Sequence, residues 1–260
     1  MDYRELPAPP PLDRWVHCMW FLTTDGGGPP QPVVPDGRLE IVLHRAAPFA
    51  QLMPNGSAAP QQAVMVSGQL TRPIVLCGTE PADIIGLRFR TAGARDLLGL
   101  ALPELTDRVI DLREVARPLA LALEAAGRAA DPVSALWSAI LDRVRPHRDR
   151  LTPDAVERLA RDESVRDVAR AAAVSTRTLE RRVRENTGLP PKVLQRVVRF
   201  RRLYALLQSG TMTAARAAAL AGYYDQTHAN RDFRRFAGAT ATEHFADDPQ
   251  LARAILSHSS

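Results

Sequence analysis

The stretch YYDQTHANRDFRRFAG, residues 223–238, decides how the rest of the chain is read. Two tyrosines lead into Asp225, a side chain suited to capping a helix N-terminus. Helical spacing then puts Gln226, Thr227, Asn230, Arg231 and Arg234 on one face and Phe233 and Phe236 on the other. Gln and Asn can each make two hydrogen bonds to an adenine edge, Arg can do the same with guanine, and Thr can meet a thymine methyl group. The segment therefore reads as a short helix with an apolar back and a front able to read base edges.

The chain holds a second copy of this pattern. VARAAAVSTRTLERRVRENTG, 168–188, aligns with AALAGYYDQTHANRDFRRFAG, 218–238, when Val168 is matched to Ala217. Ala169 and Ala218 hold one place, 49 residues apart; Ala173 and Gly222 hold a turn; Gly188 and Gly238 close the units, the second being one residue longer. A short helix, a tight turn and a second helix make a helix-turn-helix. The small residue in the first helix allows a close crossing, and the turn needs a residue that tolerates left-handed backbone. Ser175 or Thr176 is expected to cap the second helix of unit one. Leu179 and Val183 should face inward there, leaving Arg177, Glu180, Arg181 and Arg184 outside. Glu180 repels phosphate, so it either accepts from a cytosine amino group or pairs with a neighbouring Arg.

Between the units lies PPKVLQRVVRFRRLYALLQSG, 190–210. Val193, Val197, Phe200, Leu203, Tyr204 and Leu207 form an apolar stripe, with Lys192, Arg196, Arg199, Arg201 and Arg202 elsewhere on the helix. About 18 helical residues span ~27 Å. A connector of that length can hold two reading helices on one side of a duplex, about one helical turn (~34 Å) apart.

Residues 152–245 resemble the tandem helix-turn-helix DNA-binding domain of AraC/XylS family transcription regulators. The matching elements are SVRDVARAAAVSTRTLERRVRENTGLPP, the connector VLQRVVRFRRLYALL, and GYYDQTHANRDFRRFAGATATEHF with its closing short helix. By position, the resemblance implies base contacts from Arg177, Glu180 and Arg181 in the first unit, and from Gln226, Thr227, Asn230 and Arg231 in the second. It implies double-stranded promoter DNA as partner, with RNA polymerase, a small-molecule effector and a second copy of the chain as further partners. Two positions depart from the family pattern. The second unit opens with TAARAAALAG, nearly all Ala, and Ala229 stands where a larger apolar residue is common, so a looser second core is expected.

The front of the chain reads differently. VVPDGRLEIVLH (33–44), QAVMVSGQL (62–70), RPIVLCG (72–78) and ADIIGLRFR (82–90) are short β-type runs broken by turn residues. The Ala-, Pro- and Gln-rich stretch 46–61 reads as a loop. From Ala92 onward the pattern turns helical, and DPVSALWSAILDRVRPH (131–147) puts Val133, Leu136, Trp137, Ile140, Leu141 and Val144 on one face, with Asp131 as cap and Pro132 next. This front half resembles the N-terminal domains of some AraC/XylS members. The expected fold is α+β in two domains. Residues 1–150 form a small antiparallel sheet or barrel with following helices, for effector binding or dimerisation. Residues 151–260 form the all-α DNA-binding domain, with units at about 164–188 and 213–238. Pro146 is expected to break the preceding helix, and Thr152-Pro153 to start the next.

Charge follows the same division. Of 34 Lys+Arg and 29 Asp+Glu, Thr152 to Phe245 holds 17 and 10, a net of +7, against 17 and 19, a net of −2, elsewhere. A basic helical third fits a polyanion partner.

No window approaches a membrane span and the first residues lack a signal-peptide core, so the expectation is a cytoplasmic protein without a membrane partner. No nucleophile elbow, P-loop, zinc motif or dinucleotide turn occurs, so no catalytic residue, cofactor or metal is expected and the chain is not read as an enzyme. An enzyme or repair protein using the tandem module only for targeting is the alternative; Cys18 and Cys77 alone do not supply the Cys cluster of such repair proteins. Asp36 reads as a turn former, His44 as a strand-end surface residue, Arg88 as an ion-pair partner, His17 as no metal ligand, and Trp15, Trp20 and Phe21 as core.

Overall fold

Residues 1–78, 80–145 and 151–246 are described by the computed structural model. Among the described residues the front half builds ten strands, in chain order β1 (Asp2–Pro7), β2 (Val16–Thr24), β3 (Gln31–Val33), β4 (Glu40–His44), β5 (Ala50–Leu52), β6 (Ala58–Pro60), β7 (Val64–Ser67), β8 (Ile74–Cys77), β9 (Ala82–Phe89) and β10 (Val109–Asp111). They pair into two antiparallel sheets, β1-β2-β9-β4-β7-β10 and β3-β8-β5-β6.

Alternation along the large sheet feeds two cores. Ile41 and Leu43 of β4 and Ile85 and Leu87 of β9 face helices α2 (Leu112–Gly127) and α3 (Pro132–Leu141). Val42, Trp20, Leu22, Met65 and Ile84 face the small sheet, where Phe49 and Leu76 meet them. Gly86 is where β9 passes under the Trp20 indole: a Cβ there would lie 1.9 Å from the ring. Trp20 and Phe21 are core, as expected, while Trp15 is half-buried and donates its Nε1–H to Asp96 Oδ2 at 2.7 Å.

Two expectations fail in this half. Stretch 46–61 is not a loop but the hairpin β5–β6, turned at Asn55-Gly56, where Gly56 has φ +82°. Ala, Pro and Gln carry little strand signal, and Pro60 is tolerated because β6 is the sheet edge. His44 is at a strand end but not on the surface, since both its ring nitrogens are buried.

The short helix α1 (Arg95–Leu98) ends at Gly99 in the left-handed conformation. Asp131 caps α3 by accepting from Ser134 N, as its sequence indicates. Leu136, Trp137, Ile140 and Val144 are buried, whereas Leu141 is 48% exposed, because α3 packs within the chain on α2 and the stripe is narrower than the sequence pattern.

The described residues of the back half build helices alone: α4 (Leu151–Ala160), α5 (Val165–Ala171), α6 (Thr176–Thr187), α7 (Pro191–Gln208), α8 (Ala214–Leu220), α9 (Gln226–Ala237) and α10 (Ala241–Ala246). Pro146 lies outside the described residues. Thr152 is not the cap of α4 but sits inside its first turn, buried, with its Oγ1 accepting from Asn186 Nδ2 at 3.4 Å. Among the described residues no helix is long and apolar enough to cross a membrane.

The halves meet along one seam. Gly37 packs its backbone on Val197 of α7, Thr106 Oγ1 donates to the Gly188 carbonyl at 2.8 Å, and Gly238 lies against Pro73. The apolar cluster between the sheets continues into the helical core.

Candidate nucleic-acid interface

Each unit is built by the same local devices at nearly the same offset. Ser164 caps α5 and Thr213 caps α8. Ala169 and Ala218 are buried at the helix crossings. The turns place Ala173 at φ +51° and Gly222 at φ +89°, both left-handed, as the alignment requires. Ser175 then caps α6 by accepting from Thr178 N at 3.1 Å, and Asp225 caps α9 by accepting from His228 N at 2.6 Å. Gly188 and Gly238 close the two 12-residue helices in the left-handed conformation, returning their N–H groups to the Arg184 and Arg234 carbonyls. Equal devices give equal helices, each presenting one face.

Leu179 and Val183 are fully buried under α6, and Phe233 and Phe236 under α9. Arg177, Glu180, Arg181 and Arg184 are all exposed, as are Gln226, Thr227, Asn230, Arg231 and Arg234. The four α6 residues share one open cleft of about 540 Å³ with Glu185, Lys192 and Pro103. Pro103 belongs to the short 3-10 turn Leu102–Leu105 of the front half, which abuts α6. Arg181 pairs with Glu185 at 3.0 Å on the helix surface, a contact weak enough in water for another anion to displace. Glu180 makes no ion pair among the described residues. The five α9 residues line an exposed face rather than a cleft. Lys192 and the 95%-exposed Tyr224, beside the α9 cap, are exposed residues of this surface that the base-reading pattern did not single out.

The expectation of a loose second core is corrected by the aromatic side chains. The Ala-rich α8 brings its backbone close, with Ala217, Ala218 and Ala221 buried, and Ala229 likewise. Phe200 lies 5.5 Å from Phe233 and 5.2 Å from Phe236, Tyr204 stacks on Phe233, and the Tyr204 hydroxyl meets His244 Nε2 at 3.0 Å. Large rings from α7, α9 and α10 fill what small residues leave.

The α7 arginines serve this framework. Arg196 binds the fully buried Asp232, and Arg199 and Arg202 both bind Asp162, at 2.9 and 3.0 Å. Leu194, absent from the sequence stripe, is buried as well.

In the front half, Arg88 is fully buried and ion-paired, as expected: 2.6 Å to Glu5, 2.6 Å to Glu40 and 3.7 Å to Asp36. Asp36 also forms its turn, accepting from Arg38 N at 2.9 Å. Glu5, His17 and Cys18 bring donor atoms within 4.8 Å of one another. The electrostatics there oppose a cation. Burial pushes the Cys18 thiol up to about 12, burial and the Arg38 guanidinium hold His17 down at about 4, and Glu5 is already engaged by Arg88.

Residues 4–111 match a family described as a domain of unknown function (DUF6597), and residues 168–247 match one described as a helix-turn-helix domain. No curated protein matches the chain. Among solved structures it is similar to ToxT of Vibrio cholerae. The form bound to an unsaturated fatty acid gives a TM-score of 0.47 at 10% identity, over 86% of this chain and 94% of that one. A 1.65 Å structure of ToxT gives 0.47 at 9% identity, over 87% and 98%. The two capped units on one connecting helix are the helix-turn-helix domain that the family model matched over residues 168–247 describes.

Proposed function

We propose that this chain is a sequence-specific DNA-binding transcription regulator that reads two successive major-groove segments with α6 and α9, under the influence of a small-molecule effector taken up by the front half. One observation carries the reading. Two helices of equal length, capped, turned and closed by matching devices, each hold an exposed polar face, of Arg and Glu on α6 and of Gln, Thr, Asn and Arg on α9, over a buried apolar back. Such faces, at the N-terminal ends of second helices, are what a major groove admits. Arg177, Glu180, Arg181 and Arg184 read one segment, and Gln226, Thr227, Asn230, Arg231 and Arg234 the other. The chemistry is binding rather than catalysis, with promoter DNA as partner and the cytoplasm as the place of work. The domain division at about residue 150 parts the strand-built front, with its α2 and α3, from the reading helices.

The test is a binding assay at fixed salt on a fragment selected from genomic DNA. Arg181→Ala and Arg231→Ala each weaken specific binding by about 1–3 kcal/mol, because each removes one two-hydrogen-bond base contact. Binding that survives both substitutions unchanged removes α6 and α9 from the base-reading role.

A further inference from the structure

We propose that two loops of the front half, 68–73 and 102–108, act as a single brace that fixes the spacing of the reading helices, with Asp107 as the positioning residue that ties the loops together. The proposal rests on the reading of α6 and α9 as the base-reading helices and adds what sets their separation.

The loops belong to different strand connections. The first joins β7 to β8, and the second leads from the 3-10 turn Leu102–Leu105 into β10. Asp107 welds them. Its N–H donates to the Gln69 carbonyl at 2.9 Å, and its carboxylate accepts from Thr71 N and from Thr71 Oγ1, each at 2.6 Å. Its φ of +57° is left-handed, a conformation that Asp adopts more readily than most residues. Gly68 closes the same junction. Its N–H donates to the Arg108 carbonyl at 3.0 Å, and a Cβ there would lie 1.8 Å from the Leu105 carbonyl oxygen. Hydrogen bonds to an ionised carboxylate are stronger than neutral ones, so the two loops move as one piece.

This piece reaches both reading helices and the connector. Thr106 Oγ1 donates to the Gly188 carbonyl at 2.8 Å. A Cβ on Gly188 would stand 3.2 Å from the Leu102 carbonyl oxygen and 3.5 Å from Gln69 Cγ. Gln69 Nε2 donates to the Gly37 carbonyl at 2.8 Å, and Gly37 packs on Val197 of α7. On the other arm, a Cβ on Gly238 would stand 3.2 Å from Pro73 Cγ. Arg95 of α1 adds an ion pair to Glu185 of α6 at 3.7 Å. Gly188 closes α6 and Gly238 closes α9, so the brace holds each reading helix by its C-terminal end. All the proposed reading side chains stay exposed with it in place.

α7 sets the distance between the two units, and the brace fixes the angle at which each leaves it. One base pair inserted in a duplex moves the second segment by ~3.4 Å and turns it by ~35°. A braced pair of helices cannot follow that change, whereas an unbraced pair follows it in part.

The experiment has two arms. Without DNA, hydrogen exchange of the full chain is followed by NMR at the Gly188 and Gly238 amides, which bond the Arg184 and Arg234 carbonyls, with the Leu159 amide of α4 as reference. Asp107→Gly keeps the left-handed backbone and removes the carboxylate. It is expected to speed exchange at both glycines about tenfold relative to Leu159. Asp107→Asn, whose amide can meet Thr71 in the same way, is expected to restore the parent's exchange. Thr106→Val removes the bond to Gly188 but leaves the loops tied, so it should speed exchange at Gly188 alone. With DNA, each protein is titrated at fixed salt with a selected genomic fragment, and with the same fragment carrying one extra base pair between its two protected segments. The parent is expected to bind the longer fragment about tenfold or more weakly. Asp107→Gly and Thr106→Val should reduce that ratio, and Asp107→Asn should keep it. Unchanged exchange at Gly238 in Asp107→Gly, equal acceleration at every amide, or a spacing ratio in Thr106→Val equal to the parent's overturns the proposal. Should Asp107→Gly not fold, Thr106→Val carries both arms. A parent that binds no DNA specifically strikes the base-reading helices while the exchange arm still decides the brace, and a brace overturned in a discriminating parent leaves base reading standing.

Discussion

His44 titrates inside the fold, and its position gives stability a pH dependence of known sign. Burial holds its imidazole at about 4, against about 6.5 in an unfolded chain. Between those values the unfolded state takes up a proton that the folded state refuses. Stability is therefore full above pH 6.5, falls as pH drops towards 4, and levels off below. From pH 7 to pH 5 the His44 share of the loss is about 2 kcal/mol. His44→Gln should remove that share, read as a smaller shift in urea midpoint between the two pH values; equal shifts in both proteins would show that His44 does not titrate this way. At the turns, Gly222→Ala is expected to cost about 1 kcal/mol, because its φ of +89° is left-handed. A Cβ there would stand 3.4 Å from its nearest neighbour, so the backbone supplies the whole effect. A denaturation midpoint unchanged in that variant contradicts the strain argument. These two residues differ in legibility. Gly222 was readable from the repeat alone, since a helix-turn-helix turn demands its conformation. His44 was not, because a residue at the end of an alternating strand looks exposed until a second sheet is laid over it, and that sheet includes the hairpin β5–β6, whose Ala, Pro and Gln hid it.

At the scale of elements, helices were more legible than strands, for a local reason. Caps such as Ser175 and Asp225, and closing glycines such as Gly188 and Gly238, lie within a few residues of the helices they bound. The faces of α6 and α9 followed from periodicity, and every proposed reading residue is exposed. What periodicity missed was which polar residues on α7 and α9 are structural. Asp232 lies within the reading helix but is fully buried, bound by Arg196 and approached by the Tyr223 hydroxyl at 3.3 Å. Its partner is 36 residues away in sequence, so no local pattern marks it. Asp232→Ala should remove the Arg196 and Tyr223 hydrogen bonds and destabilise the chain by about 1–2 kcal/mol, since the part-exposed Arg196 can turn to water. Thermal unfolding followed by circular dichroism measures this; a variant as stable as the parent would mean that the pair contributes nothing to holding α7 on α9.

At the scale of the molecule, composition separated a basic helical third from a slightly acidic front, but the seam between them left no trace in the sequence. Gly37 against Val197, Thr106 against Gly188 and Pro73 against Gly238 join residues far apart in the chain. The structure also sorts the charge that composition only counts. Arg196, Arg199 and Arg202 are held by Asp232 and Asp162, whereas Arg177, Arg181, Arg184, Lys192, Arg231 and Arg234 stand exposed on or beside the reading faces. The polyelectrolyte response to DNA should therefore reflect about six cations rather than all the basic residues of the helical half. Each phosphate neutralised releases counterions, so the logarithm of the binding constant should fall with the logarithm of salt at a slope of about −5. Lys192 lies in the first turn of α7 and not on a reading helix, so Lys192→Ala should reduce that slope by about one and weaken binding to every sequence alike. Arg181→Ala should instead change the preference among sequences. A titration over a range of salt concentrations separates the two: a slope near zero, or a Lys192→Ala slope equal to the parent's, would mean that phosphate contacts are made elsewhere than along this surface.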